Sequence, residues 1–257
     1  MVYLNQVVLV SGAGGIGKSI SLAFGQRGAK VAFFDKDPNQ LKEATDLLNS
    51  QKITHLAEKI DVTDLGSMDA FLDDVKDKLG PVSILINNVG MGKVLKFPDT
   101  KPADLEQVWK TNFAGPFFLT QKIVKDMREG GNIIFITSIH AQQPSLDPSY
   151  DSSKAAVNSL VLNLSLDLAK RGIRVNAIAP GHIDINPSLS SGTVSLRDIG
   201  TQDIPREQKD VPLFKKAGLP EDIAKACLFL ADNEQARYIT GVILPVTGGL
   251  HIPKAAE

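Results

Sequence analysis

Cysteine is almost missing from this chain. The single Cys227 cannot close an intramolecular disulfide. Its apolar setting in "EDIAKACLFLAD" marks a buried structural thiol rather than a nucleophile. Excess charge is missing too, since 28 Lys and Arg offset 29 Asp and Glu to leave −1. The whole molecule therefore has no pull toward nucleic acid or an acidic membrane. The arginines of "RGIRVNAIAPGH" flank a strand-like run and do not change that reading. The four histidines, His55, His140, His182 and His251, show no ligand spacing, so no metal is expected. No apolar run approaches a membrane span, and the opening "MVYLNQVVLVSG" has no basic region of the signal-peptide kind. The expectation is a cytoplasmic protein. Repeats and low-complexity tracts are absent as well.

What is present is a core-forming composition, 43% hydrophobic and 22% charged, over 257 residues. Apolar β-branched runs fall at 6–10, 30–34, 55–60, 83–86, 132–137, 173–178 and 241–246. Helical patterns fill most intervals, at 16–26, 39–50, 67–79, 101–128, 150–171 and 220–232. The strands read as continuously apolar, which suits a sheet covered on both faces. Alternating β and α units with right-handed crossovers predict an α/β fold. It is a single-domain (1–257), Rossmann-type, doubly wound parallel sheet of about seven strands. Residues 181–217 break the rhythm, being rich in Ser, Asp, Pro and Gly. A stretch that long is expected to be a substrate lid carrying a short helix.

Between the first strand and helix stands "VSGAGGIGKSI", with Gly12, Gly14, Gly15, Ile16 and Gly17. Glycines allow a sharp turn and close approach to a pyrophosphate, and the helix N-terminus supplies free N–H groups and a positive dipole end. A bare glycine pattern is weak. Here it is followed by a helix, a second strand and Asp35, about twenty residues on, in the order a dinucleotide site requires. A carboxylate at Asp35 accepts from both adenosine ribose hydroxyls and repels a 2′-phosphate, a unit-charge effect of up to about 4 kcal/mol near a partly solvated surface. Lys36 follows at the strand end. The cofactor expected is NAD rather than NADP.

The segment "SYDSSKAAVNSLVLNLSLDLAK" places Tyr150, Lys154, Val157, Val161, Leu164 and Leu168 on one helical face. An ammonium on an inward-facing stripe is costly unless something receives it. One turn apart, Tyr150 and Lys154 can share a cleft. A nearby cation favours phenolate in a side chain whose ordinary pKa is about 10.

These motifs, in this order from about residue 6 to 249, resemble the short-chain dehydrogenase/reductase family. The resemblance assigns the dinucleotide to Ser11, Gly12, Gly14, Gly15, Ile16, Gly17, Asp35, Lys36, the pair Asp61-Val62, the run Asn87-Asn88-Val89-Gly90, Tyr150 and Lys154. It adds the turn Pro180-Gly181 with Ile183 against the nicotinamide. Catalysis it assigns to Ser138, Tyr150 and Lys154, with Asn112 supporting a water-borne proton relay. Departures from the family pattern are a glycine loop one residue shorter, with Ser11 for Thr, and Val89 for Ala. Ile185 stands where a threonine binds the carboxamide, with Asn186 as a substitute, and Thr247 replaces an Asp. The family tends to form tetramers, through the helices near 101–128 and 150–171 and through the C-terminal region, so a homotetramer is expected.

The pocket edges supply His140, Gln142, Gln143, Lys93, His182, Asp184 and Arg197. Amides and imidazoles suit several hydroxyls better than a steroid or acyl chain. "SIHA" and the tail "LHIPKAAE" also resemble aldose dehydrogenases of the family. The expected substrate is a sugar, polyol or similar small polar alcohol. The alternatives are a 3-oxoacyl-carrier-protein reductase, a hydroxysteroid or other ketone reductase, and a non-catalytic NAD-binding regulator.

Overall fold

The structure, a computed structural model, describes residues 2–93, 97–185, 212–214 and 216–252. Seven strands form one sheet: Val7–Ser11 (β1), Lys30–Asp35 (β2), His55–Lys59 (β3), Ile84–Asn87 (β4), Asn132–Ile136 (β5), Arg174–Pro180 (β6) and Ile243–Val246 (β7). Their order is β3-β2-β1-β4-β5-β6-β7, and every pairing is parallel. The helices are Gly15–Gly25 (α1), Pro38–Ser50 (α2), Leu65–Lys78 (α3), Pro102–Trp109 (α4), Gly115–Ile123 (α5), Pro148–Leu168 (α6) and Pro220–Ala231 (α7). This is the doubly wound α/β architecture that the alternating pattern predicts.

Successive strand residues face opposite sides, and β1 shows why its run is apolar throughout. Val7 and Leu9 join one core with Met68, Phe71, Leu119, Val157 and Val161. Val8 and Val10 join the other, with Ile20, Phe24, Leu48, Ile223 and Cys227. Each large side chain so buried contributes about 1.5–3 kcal/mol. Cys227 is fully buried and its thiol is pushed up by desolvation, far from the range of a nucleophile.

The direction in which successive strands are added reverses between β1 and β4, the two strands on which the order turns. Loops leaving their carboxyl ends diverge and open a crevice, the place where ligands bind in such sheets. Ser11, Asp35, Asn88 and Ser138 lie at or just beyond the carboxyl ends of β1, β2, β4 and β5.

Two boundaries differ from the periodicity. The pattern at 101–128 is two helices joined by a π turn, Lys110–Ala114, in which Gly115 N–H bonds the Lys110 carbonyl. Pro116 has no N–H to give the Asn112 carbonyl four residues earlier, so the α-ladder fails there. The helix expected from Tyr150 begins two residues sooner. Asp147 caps it by accepting from Tyr150 N–H at 3.2 Å, and Pro148 opens the first turn. Most of the expected lid, 186–211, together with Asn186 and Arg197, lies outside the described residues. Its flanks are joined, because Ile183 bridges Gly218 in parallel.

Candidate active site

The glycine turn is shaped by close contacts that leave no room for side chains. Gly12 adopts φ +86° and donates to the Phe34 carbonyl at 2.8 Å. A Cβ on Gly17 would lie 1.9 Å from the Gly12 carbonyl oxygen, so helix and turn meet only at glycine. Ser11 Oγ accepts from the N–H groups of Asn88 at 3.0 Å and Val89 at 3.2 Å. Asn88 Nδ2 donates back to the Ser11 carbonyl at 3.0 Å. The ends of β1 and β4 are thereby stitched into one floor.

Asp35 is already engaged with that turn. Its Oδ2 accepts from Ala13 N–H at 2.7 Å and its Oδ1 from Asp37 N–H at 2.9 Å. A carboxylate oxygen can accept more than one bond, so both keep capacity for ribose hydroxyls. One cleft is lined by Gly12, Gly14, Asp35, Lys36, Asp61, Val62, Asn88, Val89 and Gly90, with Ile60, Met91 and Thr111 beside them. Lys36 and Asp61 approach to 3.8 Å across its rim. The glycine cradle, the helix N-terminus and the carboxylate fit a dinucleotide. Ile185 packs on Gly15, its Cβ 2.9 Å from where a Gly15 side chain would start.

At the other end of the crevice, Lys154 is 4% exposed on the apolar stripe. Its Nζ donates to the Ile136 carbonyl at 2.9 Å and lies 5.7 Å from the centre of the Tyr150 ring. Gly90 makes room for it, since a Cβ there would sit 2.9 Å from Nζ. Burial lowers the Lys154 ammonium to about 8. The same desolvation raises the Tyr150 phenol, opposed by a hydrogen bond with Ser138 and reinforced by Asp151 and Asp147. Burial outweighs the Ser138 hydrogen bond, so the phenol lies above its ordinary value. Ser138 is buried beside it, at the carboxyl end of β5.

Asn112 is 1% exposed, and its amide is spent on protein. Oδ1 accepts from Met91 N–H at 2.8 Å, while Nδ2 donates to the Met91 carbonyl at 2.8 Å and Ser153 Oγ at 2.9 Å. The side chain thus clamps the loop after β4 to the π turn and α6.

A family model described as enoyl-(acyl carrier protein) reductase matches residues 11–251. The chain belongs to the short-chain dehydrogenase/reductase family. It is 35% identical over 249 residues to the 7alpha-hydroxysteroid dehydrogenase of Escherichia coli (strain K12), covering 95% of this chain and 94% of that one. It is 34% identical over 251 residues to the acetoacetyl-CoA reductase of a Synechocystis strain, covering 96% and 97%. Among solved structures, a short-chain dehydrogenase/reductase from Serratia marcescens superposes with TM-score 0.86 at 27% identity, over 98% of this chain and 100% of that one. The protein is an oxidoreductase that uses a nicotinamide cofactor on a small molecule.

In this short-chain dehydrogenase/reductase the other sequence-read residues are distributed unevenly. Pro180 ends β6, and the N–H of Gly181 just beyond it bonds the Val246 carbonyl at 3.0 Å. Ile183 turns onto the core formed with α1 and α7. Lys93 directs its ammonium to Asp104 at 2.7 Å. His140 is half-buried on the Ser138 turn, with its N–H donating to Ser138 Oγ at 3.1 Å. Its Nδ1 meets the Gln143 carbonyl at 3.1 Å, so Nδ1 carries the proton, because a carbonyl only accepts. Gln142 is exposed; the His182 carbonyl accepts from Gly218 N–H at 2.9 Å, and Asp184 N–H donates to the Gly218 carbonyl at 2.8 Å. Among the described residues no cluster of three His, Cys, Asp or Glu suits a metal.

Sequence reasoning missed Asp147, a buried carboxylate that also accepts from Lys93 N–H at 3.2 Å and Ser149 Oγ at 2.7 Å. The signal was Asp147-Pro148 ahead of an apolar-periodic run, the pattern of a cap followed by an N1 proline. Thr111, on the cleft wall, carried no such signal.

Proposed function

We propose that the enzyme transfers a hydride between NAD(H) and a small polar secondary alcohol or its carbonyl, a sugar or polyol first. The carrying observation is Asp35, whose carboxylate lines the same cleft as the glycine turn with both oxygens pre-oriented by backbone N–H groups. A 2′-phosphate there would meet a fixed negative charge. Asn88, Val89 and Gly90 with Asp61 and Val62 would hold the adenosine half and its neighbours, and Lys154 the nicotinamide ribose. When bound, the nicotinamide supplies the hydride acceptor or donor.

The chain's own groups manage the proton. Ser138 Oγ hydrogen-bonds the substrate oxygen and keeps it beside Tyr150. Tyr150 Oη removes the hydroxyl proton in oxidation and returns it in reduction. Lys154, charged below about 8, stabilises the phenolate and passes the proton outward. Pro116 deprives the Asn112 carbonyl of its α-helical donor, which suits that carbonyl to hold a relay water. On the substrate side, His140 with its Nδ1 protonated offers Nε2 as an acceptor for a second hydroxyl, and Gln142 adds an amide.

The test is a panel of aldoses, polyols, hydroxy acids, secondary alcohols, hydroxysteroids and an acetoacetyl thioester, each with NAD and NADP. Turnover of a polyhydroxylated compound with at least a tenfold preference for NAD, about 1.4 kcal/mol, supports the reading. Activity confined to steroids or thioesters overturns the substrate class, and a clear NADP preference overturns the cofactor. Binding of NADH with no turnover on any compound would make the protein a regulator.

A further inference from the structure

Three edges of the substrate side converge on the C-terminal turn, residues 246–252. The nicotinamide-side turn reaches it through Gly181, whose N–H bonds the Val246 carbonyl, and a Cβ on Gly181 would lie 3.0 Å from Thr247 Cα. The described end of the long loop rests on it, with Pro212 and Phe214 against Gly248 and Leu213 against Gly249. The Ser138 turn reaches it through Gln143, whose Nε2 donates to the His251 carbonyl at 2.8 Å. Inside the turn, Thr247 Oγ1 and His251 Nδ1 lie 2.7 Å apart. The polar chain thus runs from Ser138, by its bond with His140 and the His140–Gln143 contact, to His251 and Thr247, and Thr247 packs against Gly181.

We propose that Gln143 and His251 are positioning residues for substrate. With Thr247 they latch the C-terminal turn to the Ser138 turn and so set the separation of the substrate-binding hydroxyl from the nicotinamide-side turn. The proposal rests on the Ser138–Tyr150–Lys154 reading. Its physical basis is placement. Gln143 is half-buried and His251 exposed, so the latch lies at the rim, away from both cores, and its loss leaves the fold intact while freeing a wall of the pocket. Two short turns that leave β5 and β7, strands separated by β6, are also held directly to each other by a hydrogen bond spanning 108 residues of sequence.

The experiment compares Gln143→Ala, the same-sized Gln143→Glu, which cannot donate, Thr247→Val and the Gln143→Ala/Thr247→Val pair. For the substrate identified by the panel, each single variant is expected to raise KM about three- to tenfold, the scale of one net hydrogen bond. kcat, NADH affinity and melting temperature should stay close to the parent. The pair should be no worse than either single variant, because both break one chain through His251. Thr247→Ser should restore the parent KM. Unchanged KM, additive losses in the pair, or an equal loss of NADH affinity would overturn the latch. Hydrogen exchange gives a readout that needs no substrate. In Thr247→Val, which touches neither residue, the Gln142 and Gln143 amides bonded to the Ile139 carbonyl should exchange faster, and unchanged rates count against the proposal. Tyr150→Phe in parallel separates the readings, since retained turnover there would defeat the catalytic assignment and leave the latch as a structural one.

Discussion

Gly17 shows how far one missing side chain can shape the site. With 1.9 Å between a new Cβ and the Gly12 carbonyl oxygen, Gly17→Ala must push α1 off the glycine turn. The expected result is loss of NADH binding, followed by fluorescence, together with a lower melting temperature. At the reacting end, Tyr150→Phe should keep NADH affinity and lose at least a hundredfold of turnover, the usual weight of a general acid–base. Lys154 gives a prediction in pH. Its ordinary pKa is 10.5 and burial lowers it to about 8, so between those values the unfolded chain binds more protons than the folded one. Lys154 therefore destabilises the fold below about 8, and that penalty is relieved as pH rises from about 8 to 10.5, by roughly 3 kcal/mol in full. Lys154→Met should remove this rise, which denaturant melts of the two proteins across that window would show. A flat difference would mean that the ammonium is not desolvated as its burial requires.

The π turn decides how α6 is braced. Periodicity reads 101–128 as continuous because its apolar positions persist across the break. Only the missing donor of Pro116 and the packing of Asn112 against Met91 and Ser153 reveal it. Removing that amide deprives the half-buried Met91 N–H and carbonyl of their Asn112 partner, at up to about 1–3 kcal/mol for each group left unsatisfied. Asn112→Ala is thus expected to cost about 2 kcal/mol or more, measured as a shift of the urea midpoint with unchanged slope. The helix start at Pro148 was legible in principle, since Asp-Pro before an apolar run is a cap. The apolar stripe itself begins only at Tyr150, so periodicity sets the register two residues later. The links from Ser11 to Asn88 and from Asp35 to Ala13 join residues far apart in sequence, and no local pattern announces them.

For the molecule as a whole, the large apolar side chains left exposed among the described residues include four on α4, α5 and α6. Leu162 and Leu166 on α6 are 49% and 77% exposed, and Leu105 on α4 and Phe118 on α5 are also exposed. Four apolar side chains on neighbouring helices are costly to leave in water, which supports the proposed homotetramer through these helices. Light scattering should give about four times the 27.6 kDa chain mass, and Leu166→Glu should lower it. A monomer would remove that reading. Among the described residues no helix is long and apolar enough to cross a membrane.

The order of motifs along the chain determined the fold class and marked the proposed cofactor cleft and the proposed Ser138, Tyr150 and Lys154 set. Strand and helix periods, glycine conformational freedom and the one-turn spacing of a helix are local properties that a sequence displays. The tertiary structure alone decided the electrostatic balance, because desolvation depends on what packs around a group. It raised the phenol of Tyr150 and turned Lys93 away to Asp104. It also joined three distant turns at the C-terminal end, a convergence created only when β5, β6 and β7 lie side by side.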